Sequence, residues 1–236
     1  MSLPTSYRVR DLVIAPNVVL APMEGVTDLP FRRLIRTIGG AGLTCTEFIA
    51  SEGLKRGVGK MVEMAEFDPD ERPIAVQIFG RRPEVMAEAA RIVEDMGVNI
   101  VDINMGCPMA KVNDQGGGAR LMCDAQTACS TVSQVVQAVS IPVTVKMRLG
   151  WDRNSISAPL LAREFEKIGV AAVTIHGRTR QQGFHGHVDL EGIRETVEAV
   201  QQIPVVGNGD VRSVHDAFRM RRETGCAAGG RCPSPR

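Results

Sequence analysis

A chain of 236 residues with 28 Lys and Arg against 27 Asp and Glu carries a formal net charge of +1, too little to set up a global field toward nucleic acid or membrane. Hydrophobic residues make up 44% and glycine takes 24 positions, as expected of a globular protein with many turns. No apolar run is long enough to span a bilayer, and the start, MSLPTSYRVRDLV, has no apolar leader core, so the expected setting is cytoplasmic, with no membrane partner.

In chain order, short apolar runs alternate with amphipathic stretches. The expected strands are NVVLAPM (from Asn17), GLTCTEF (from Gly42), PIAVQIFG (from Pro73), IVDINMG (from Ile100), PVTVKMRLG (from Pro142), AAVTIHG (from Ala171) and PVVGNGD (from Pro204). They are rich in Val and Ile and bounded by Gly or Pro, which suits strands buried on both faces. Between them, RPEVMAEAARIVEDMG reads as a helix opened by Pro83 and closed by Gly97. SAPLLAREFEKIG, DLEGIRETVEAVQQ and RSVHDAFRMRRETG read the same way.

This rhythm of strand and helix fits a (β/α)8 TIM barrel in length and order. An open doubly wound sheet would call for G-x-G-x-x-G after the first strand, and none is present. The eighth strand is expected to be missing: CAAGGRCPSPR, at the end, has no β-branched residue and is rich in Gly and Pro. Residues 1–225 are therefore read as an incomplete barrel domain and 226–236 as an aberrant tail.

Polar residues recur where the strands end: Glu47, Gln77, Asn104, Cys107, Lys146, His176 and Asn208. That is the face on which barrels place their chemistry. The six cysteines form no C-x-x-C pair, and no histidine pair has metal-ligand spacing, so no metal site is expected. Cys107, in NMGCP, reads from the residues alone as either a buried small hydrophobe or a catalytic thiol.

The ordered set APMEGVTDLPFRRLIR, VQIFG, DINMGCPMAKV, GGGARLM, VKMRLGWD, IHGRTRQQGF and VVGNGDV resembles the tRNA-dihydrouridine synthases, from about Val18 to about Gly225. The resemblance implies an FMN-binding barrel followed by a helical RNA-binding domain, tRNA as partner, and NADPH or NADH as reductant. The domain and the family's Gly-Arg flavin-phosphate loop are not found after Gly225, as if the frame were truncated or shifted there. The family reaction adds hydride to C6 of a uracil and a proton to C5, and Cys107 matches the position of the acid. Lys146 and Gln77 match groups at the flavin's pyrimidine edge. Pro22, Met23 and Glu24 match a segment that passes the flavin. His176 matches a group near flavin and substrate, and Asn208, Gly209 and Asp210 match half of the phosphate loop. Asn104 would hold the uracil edge, Lys111 and Asn113 would orient the loop or touch RNA, and Arg178 would meet tRNA. Gly116, Gly117 and Gly118 read as a flexible loop. Two other readings stay open: an FMN barrel reducing a free pyrimidine or enone, and an inactive fragment.

Overall fold

A computed structural model describes residues 4–231. The last five residues of the expected tail, 232–236, lie outside the described residues.

Two short strands, β1 (Tyr7–Val9) and β2 (Leu12–Ile14), pair as an antiparallel hairpin. The barrel follows: β3 (Val18–Leu20), β4 (Leu43–Ala50), β5 (Ile74–Phe79), β6 (Ile100–Met105), β7 (Val143–Arg148), β8 (Ala172–His176), β9 (Val205–Asn208) and β10 (Ala228–Arg231). All neighbours run parallel, and the order β10-β3-β4-β5-β6-β7-β8-β9 closes on itself. The helices are α1 (Leu29–Ile38), α2 (Ser51–Lys55), α3 (Gly59–Ala65), α4 (Pro83–Asp95), α5 (Ala110–Asn113), α6 (Ala125–Ala138), α7 (Ala158–Ile168), α8 (Leu190–Ala199) and α9 (Val214–Thr224).

The seven strands read from sequence are all present. The expectation of a missing eighth is corrected, because Ala228–Arg231 fills that place. Gly229 and Gly230 pair with Val18 and Val19 on one side and with Gly207 and Asn208 on the other. A ladder needs only backbone N–H and C=O groups, and a strand flanked on both sides gains two ladders, which outweighs poor β-propensity. Two asparagines pin it. Asn17 donates to the Ala227 carbonyl at 3.0 Å, and Asn208 to the Gly230 carbonyl at 3.0 Å. Closure also removes the two edges that a seven-stranded sheet would expose.

The helices sit outside the sheet, and their apolar faces meet the outward residues of the strands in the main core, with Phe165, Met86, Ile103 and Val173 at its heart. The hairpin was not foreseen. Tyr7, Val9 and Ile14 form a second cluster with Leu43, Ala75, Ile100, Ala172 and Ala228, residues at or near the starts of barrel strands. The hairpin thus caps the N-terminal end and leaves the C-terminal end for chemistry. No helix of the described residues is long and apolar enough to cross a membrane.

Gly229 is a strand glycine with room: an added Cβ would meet only Ala217, at 3.7 Å. At Gly42 it would lie 2.0 Å from the Pro16 carbonyl oxygen. Gly229→Ala is therefore expected to raise stability by about 0.5–1 kcal/mol. Gly42→Ala should lower it, and urea unfolding midpoints of the two variants check both signs.

Candidate active site

Parallel closure brings the ends of β3 to β10 to one mouth. Along β6, Asp102 and Asn104 share a face, as do Thr144, Lys146 and Arg148 along β7, because side chains alternate along a strand. Asp102, Thr144, Lys146 and Thr174 line a cavity of about 30 Å³ inside the barrel, above Tyr7 of the hairpin.

Cys107 lies two residues beyond β6 on a loop held from three sides. The side-chain oxygen of Asn104 accepts from the N–H groups of Gly106 at 3.1 Å and Cys107 at 2.9 Å. Asn113 donates to the carbonyls of Cys107 at 3.2 Å and Met109 at 2.7 Å, and accepts from the Arg120 N–H at 2.9 Å. Arg148 donates to the Gly106 carbonyl at 2.8 Å and extends to the carbonyls of Thr179 and Gly183 at 2.9 and 2.7 Å. Gly118 is a packing glycine and not loose loop: at φ +56 a Cβ would stand 2.9 Å from the Cys107 carbonyl oxygen. Of the two roles considered for Asn113, the geometry shows loop orientation, since the side chain is buried. Lys111 is exposed on α5.

Burial pushes the Cys107 thiol above its ordinary pKa, and Glu24 adds to this; the Met109 N–H, Arg148 and Lys146 pull the other way without cancelling it. Cys107 is 6% exposed, and with its pKa raised the thiol keeps its proton at neutral pH. Burial together with Lys146, Arg148 and Arg178 drives the His176 pKa well below the usual value. The imidazole is therefore neutral. Arg178 Nη1 stands 3.3 Å from His176 Nε2, and a guanidinium only donates, so Nε2 accepts and the proton sits on Nδ1. Arg148 is lowered to about 10, by burial first and then by Arg178, and stays charged.

Four expected site residues have their side chains engaged within the protein. Arg178 is buried, not a surface arginine offered to RNA. It spans both Asp210 carboxylate oxygens, at 2.9 and 2.8 Å, and the carbonyls of Gly186 and His185. The Asp210 carboxylate is thereby committed to Arg178 and to the Val188 N–H at 3.0 Å. Asn208 spends its amide on closing the barrel. Gln77 has no exposed surface, and both ends of its amide are taken. Nε2 donates to Asp102 at 2.5 Å and Oε1 accepts from Asn104 at 2.7 Å. It supports the mouth from below and does not line it.

Gly209 has φ +110, and a Cβ there would collide with Val188 at 2.4 Å and His176 at 2.7 Å. Only glycine lets the backbone of this loop lie against His176. Pro22 and Met23 are half-buried and Glu24 is exposed, on a loop tied down by Thr27, whose hydroxyl bonds Met23 N–H and carbonyl at 3.0 and 3.2 Å. Buried Arg32 in turn holds the Thr27 carbonyl at 2.8 Å and Glu71 at 2.7 Å.

Sequence reasoning missed Asp102, Thr144, Arg148 and Phe184. The first three carried a signal: polar residues at i and i+2 inside otherwise apolar strands. Phe184 is 72% exposed, with its ring 6.3 Å from His176 and 5.5 Å from the Arg148 guanidinium; nothing local marks it. A larger cavity of about 740 Å³ lies off-centre on the same face, lined by Ser51, Phe79, Arg81, Gln115 and Thr127, and does not include Cys107.

A family model for dihydrouridine synthase (Dus) matches residues 19–232. The chain belongs to the dihydrouridine synthase family. The match passes Gly225, where the sequence reading ended the resemblance, and takes in β10. A probable tRNA-dihydrouridine synthase of Rhizobium leguminosarum bv. phaseoli is 48% identical over 215 residues, covering 90% of this chain and 66% of the relative. The tRNA-dihydrouridine synthase B of Xanthomonas axonopodis pv. citri (strain 306) is 44% identical over 215 residues, covering 91% and 64%. This family member thus spans slightly less than two thirds of those relatives. Among solved structures, morphinone reductase in complex with tetrahydroNAD aligns with a TM-score of 0.63 at 13% identity, over 96% of this chain and 85% of that one. A mandelate oxidase mutant with benzaldehyde aligns at 0.66 and 18%, over 97% and 68%. At such identities the likeness shows the barrel fold alone.

Iodoacetamide at about pH 8 is expected to modify exposed Cys123 well before Cys107, whose rate should keep climbing at more alkaline pH. Peptide mass spectrometry over a pH series checks this order.

Proposed function

We propose that this chain is the catalytic barrel of an FMN-dependent tRNA-dihydrouridine synthase, acting in the cytoplasm. The observation that carries the reading is a buried Cys107 on a loop held by Asn104, Asn113 and Arg148, at the same mouth as Lys146 and His176, within a chain matching the family over residues 19–232.

The donor set fits a flavin. Lys146 supplies a cation within β7, His176 a neutral ring at the end of β8, and the Pro22–Glu24 loop a fixed backbone edge. The backbone N–H groups after β9, at Gly209 and Asp210, would take the phosphate, together with the end of β10 beside them. When bound, FMN reduced by NADPH supplies hydride to C6 of a uracil. Cys107 then gives its proton to C5, the carbon that carries enolate character once C6 is saturated. Raised by burial, the thiol is still an acid at neutral pH, and Asn104, Asn113 and Arg148 keep its loop from drifting. Lys146 would set a cation beside a bound flavin, favouring negative charge there. His176 can offer the Nδ1 proton to a carbonyl while Arg178 fixes its tautomer. A uridine in folded tRNA must be flipped out to reach this mouth. The off-centre cavity with Arg81 provides a place for neighbouring RNA on the same face.

Dihydrouridine formation by the purified, flavin-loaded chain, with tRNA compared against free uridine, tests the proposal. Product from tRNA only is expected. Equal turnover of free uridine would favour a small-molecule reductase, and no product from either would sink the reading for this chain. Cys107→Ala should retain flavin absorbance and lose activity by about 10²-fold or more. An acid works below its pKa and fails above it, so the raised Cys107 pKa should keep the rate flat through about pH 8 before it falls. A pH–rate profile reads that limb.

A further inference from the structure

Hydrogen-bond direction runs through the barrel in one sense. At the upper end, the N–H groups of Gly106 and Cys107 can only donate, so the group facing them must be the oxygen of Asn104. That choice aims the Asn104 Nδ2 at Gln77, whose oxygen must therefore accept, at 2.7 Å. Gln77 is then left with its nitrogen facing Asp102, at 2.5 Å. The chain ends correctly only if position 102 accepts. An ionised carboxylate accepts and never donates, and its second oxygen takes the Thr144 hydroxyl at 2.5 Å. All four side chains are buried, so a wrong pairing leaves a desolvated polar group at a cost.

We infer that Asp102 is a positioning residue: an acceptor-only group that sets the orientation of two consecutive side-chain amides, Gln77 and Asn104, and through them holds the backbone of Cys107. As a contribution to catalysis this rests on the acid role proposed for Cys107; as geometry it stands apart from it. Burial raises the Asp102 pKa, while Thr144, Gln77 and Lys146 favour the ionised form.

An asparagine at position 102 has nearly the same shape but carries a donor. If its NH2 faces Gln77, both amides must turn over, and a nitrogen ends up against the N–H groups of Gly106 and Cys107. If its NH2 faces Thr144 instead, the hydroxyl must accept and its own proton is orphaned. Either way at least one buried donor is left without a partner. Exchanging Gln77 for a glutamate repairs this. The asparagine amide then donates to the new carboxylate, which also accepts from Asn104. Thr144 again donates to the residue at position 102, and the net charge is unchanged.

The test is amide hydrogen exchange on the purified chain, which needs neither flavin nor tRNA and so can fail independently of the proposed reaction. In Asp102→Asn the Gly106 and Cys107 amides should exchange about tenfold faster, with the amides of β8 at wild-type rates. Should the asparagine turn its NH2 to Thr144 instead, their exchange stays slow and the orphaned hydroxyl proton lowers the urea midpoint. Asp102→Asn combined with Gln77→Glu should restore both slow exchange and the midpoint. Wild-type exchange together with a wild-type midpoint in the single variant, or fast exchange in a folded double variant, would overturn the inference. Should Asp102→Asn fail to fold, the side-chain NH2 protons of Gln77 and Asn104 in the wild-type chain decide by NMR. Slow exchange supports the directed chain, and exchange at the rate of a solvent-exposed amide refutes it.

Discussion

Closure of the sheet is the constraint from which the rest follows. A parallel strand leaves N–H and C=O groups on both sides, so seven strands would expose two unpaired edges and let the mouth splay. The short run Ala228–Arg231 joins β9 to β3, and Asn17 and Asn208 fasten it with side-chain bonds to the carbonyls of Ala227, just before it, and Gly230. Only then do the ends of β6, β7 and β8 sit at fixed distances across one opening. The hairpin capping the other end does the complementary job, sealing the strand starts with Tyr7, Val9 and Ile14.

Within that frame the mouth sets desolvation against charge. Lys146 and Arg148 both favour a Cys107 thiolate, yet burial is the largest influence and the thiol stays protonated. At His176 burial and the same cations act in one direction, and the ring stays neutral. One electrostatic environment therefore keeps a proton on sulfur and the imidazole neutral, with Nε2 accepting from Arg178. Arg178 and Arg148 serve mainly as braces, each holding backbone carbonyls on neighbouring loops. Their charge tunes the site while their geometry builds it.

Much of this was legible beforehand. The seven apolar runs, Pro83 and Gly97 around α4, and the cluster of polar strand ends follow from periodicity and from local stereochemistry. Cys107 was picked out by its place after β6 and by the motifs around it. What the sequence left open is where a side chain spends its hydrogen bonds. Gln77, Asn208, Arg178 and Asp210 all sit at the mouth in sequence terms, yet each is committed to a protein partner distant in the chain. No local pattern reveals such a partner.

The eighth strand marks the division most clearly. By itself the sequence determined the barrel rhythm, the face that bears the polar residues and the thiol among them, because these depend on side-chain period and on residues close together. Whether AAGGR forms a strand was decided by tertiary structure alone. Its own propensity argues against pairing, but the gap between β9 and β3 presents backbone donors and acceptors on both sides. The direction of the Asp102–Gln77–Asn104 hydrogen bonds was settled in the same way. An amide has no preferred orientation until a neighbour across the sheet supplies a donor or an acceptor.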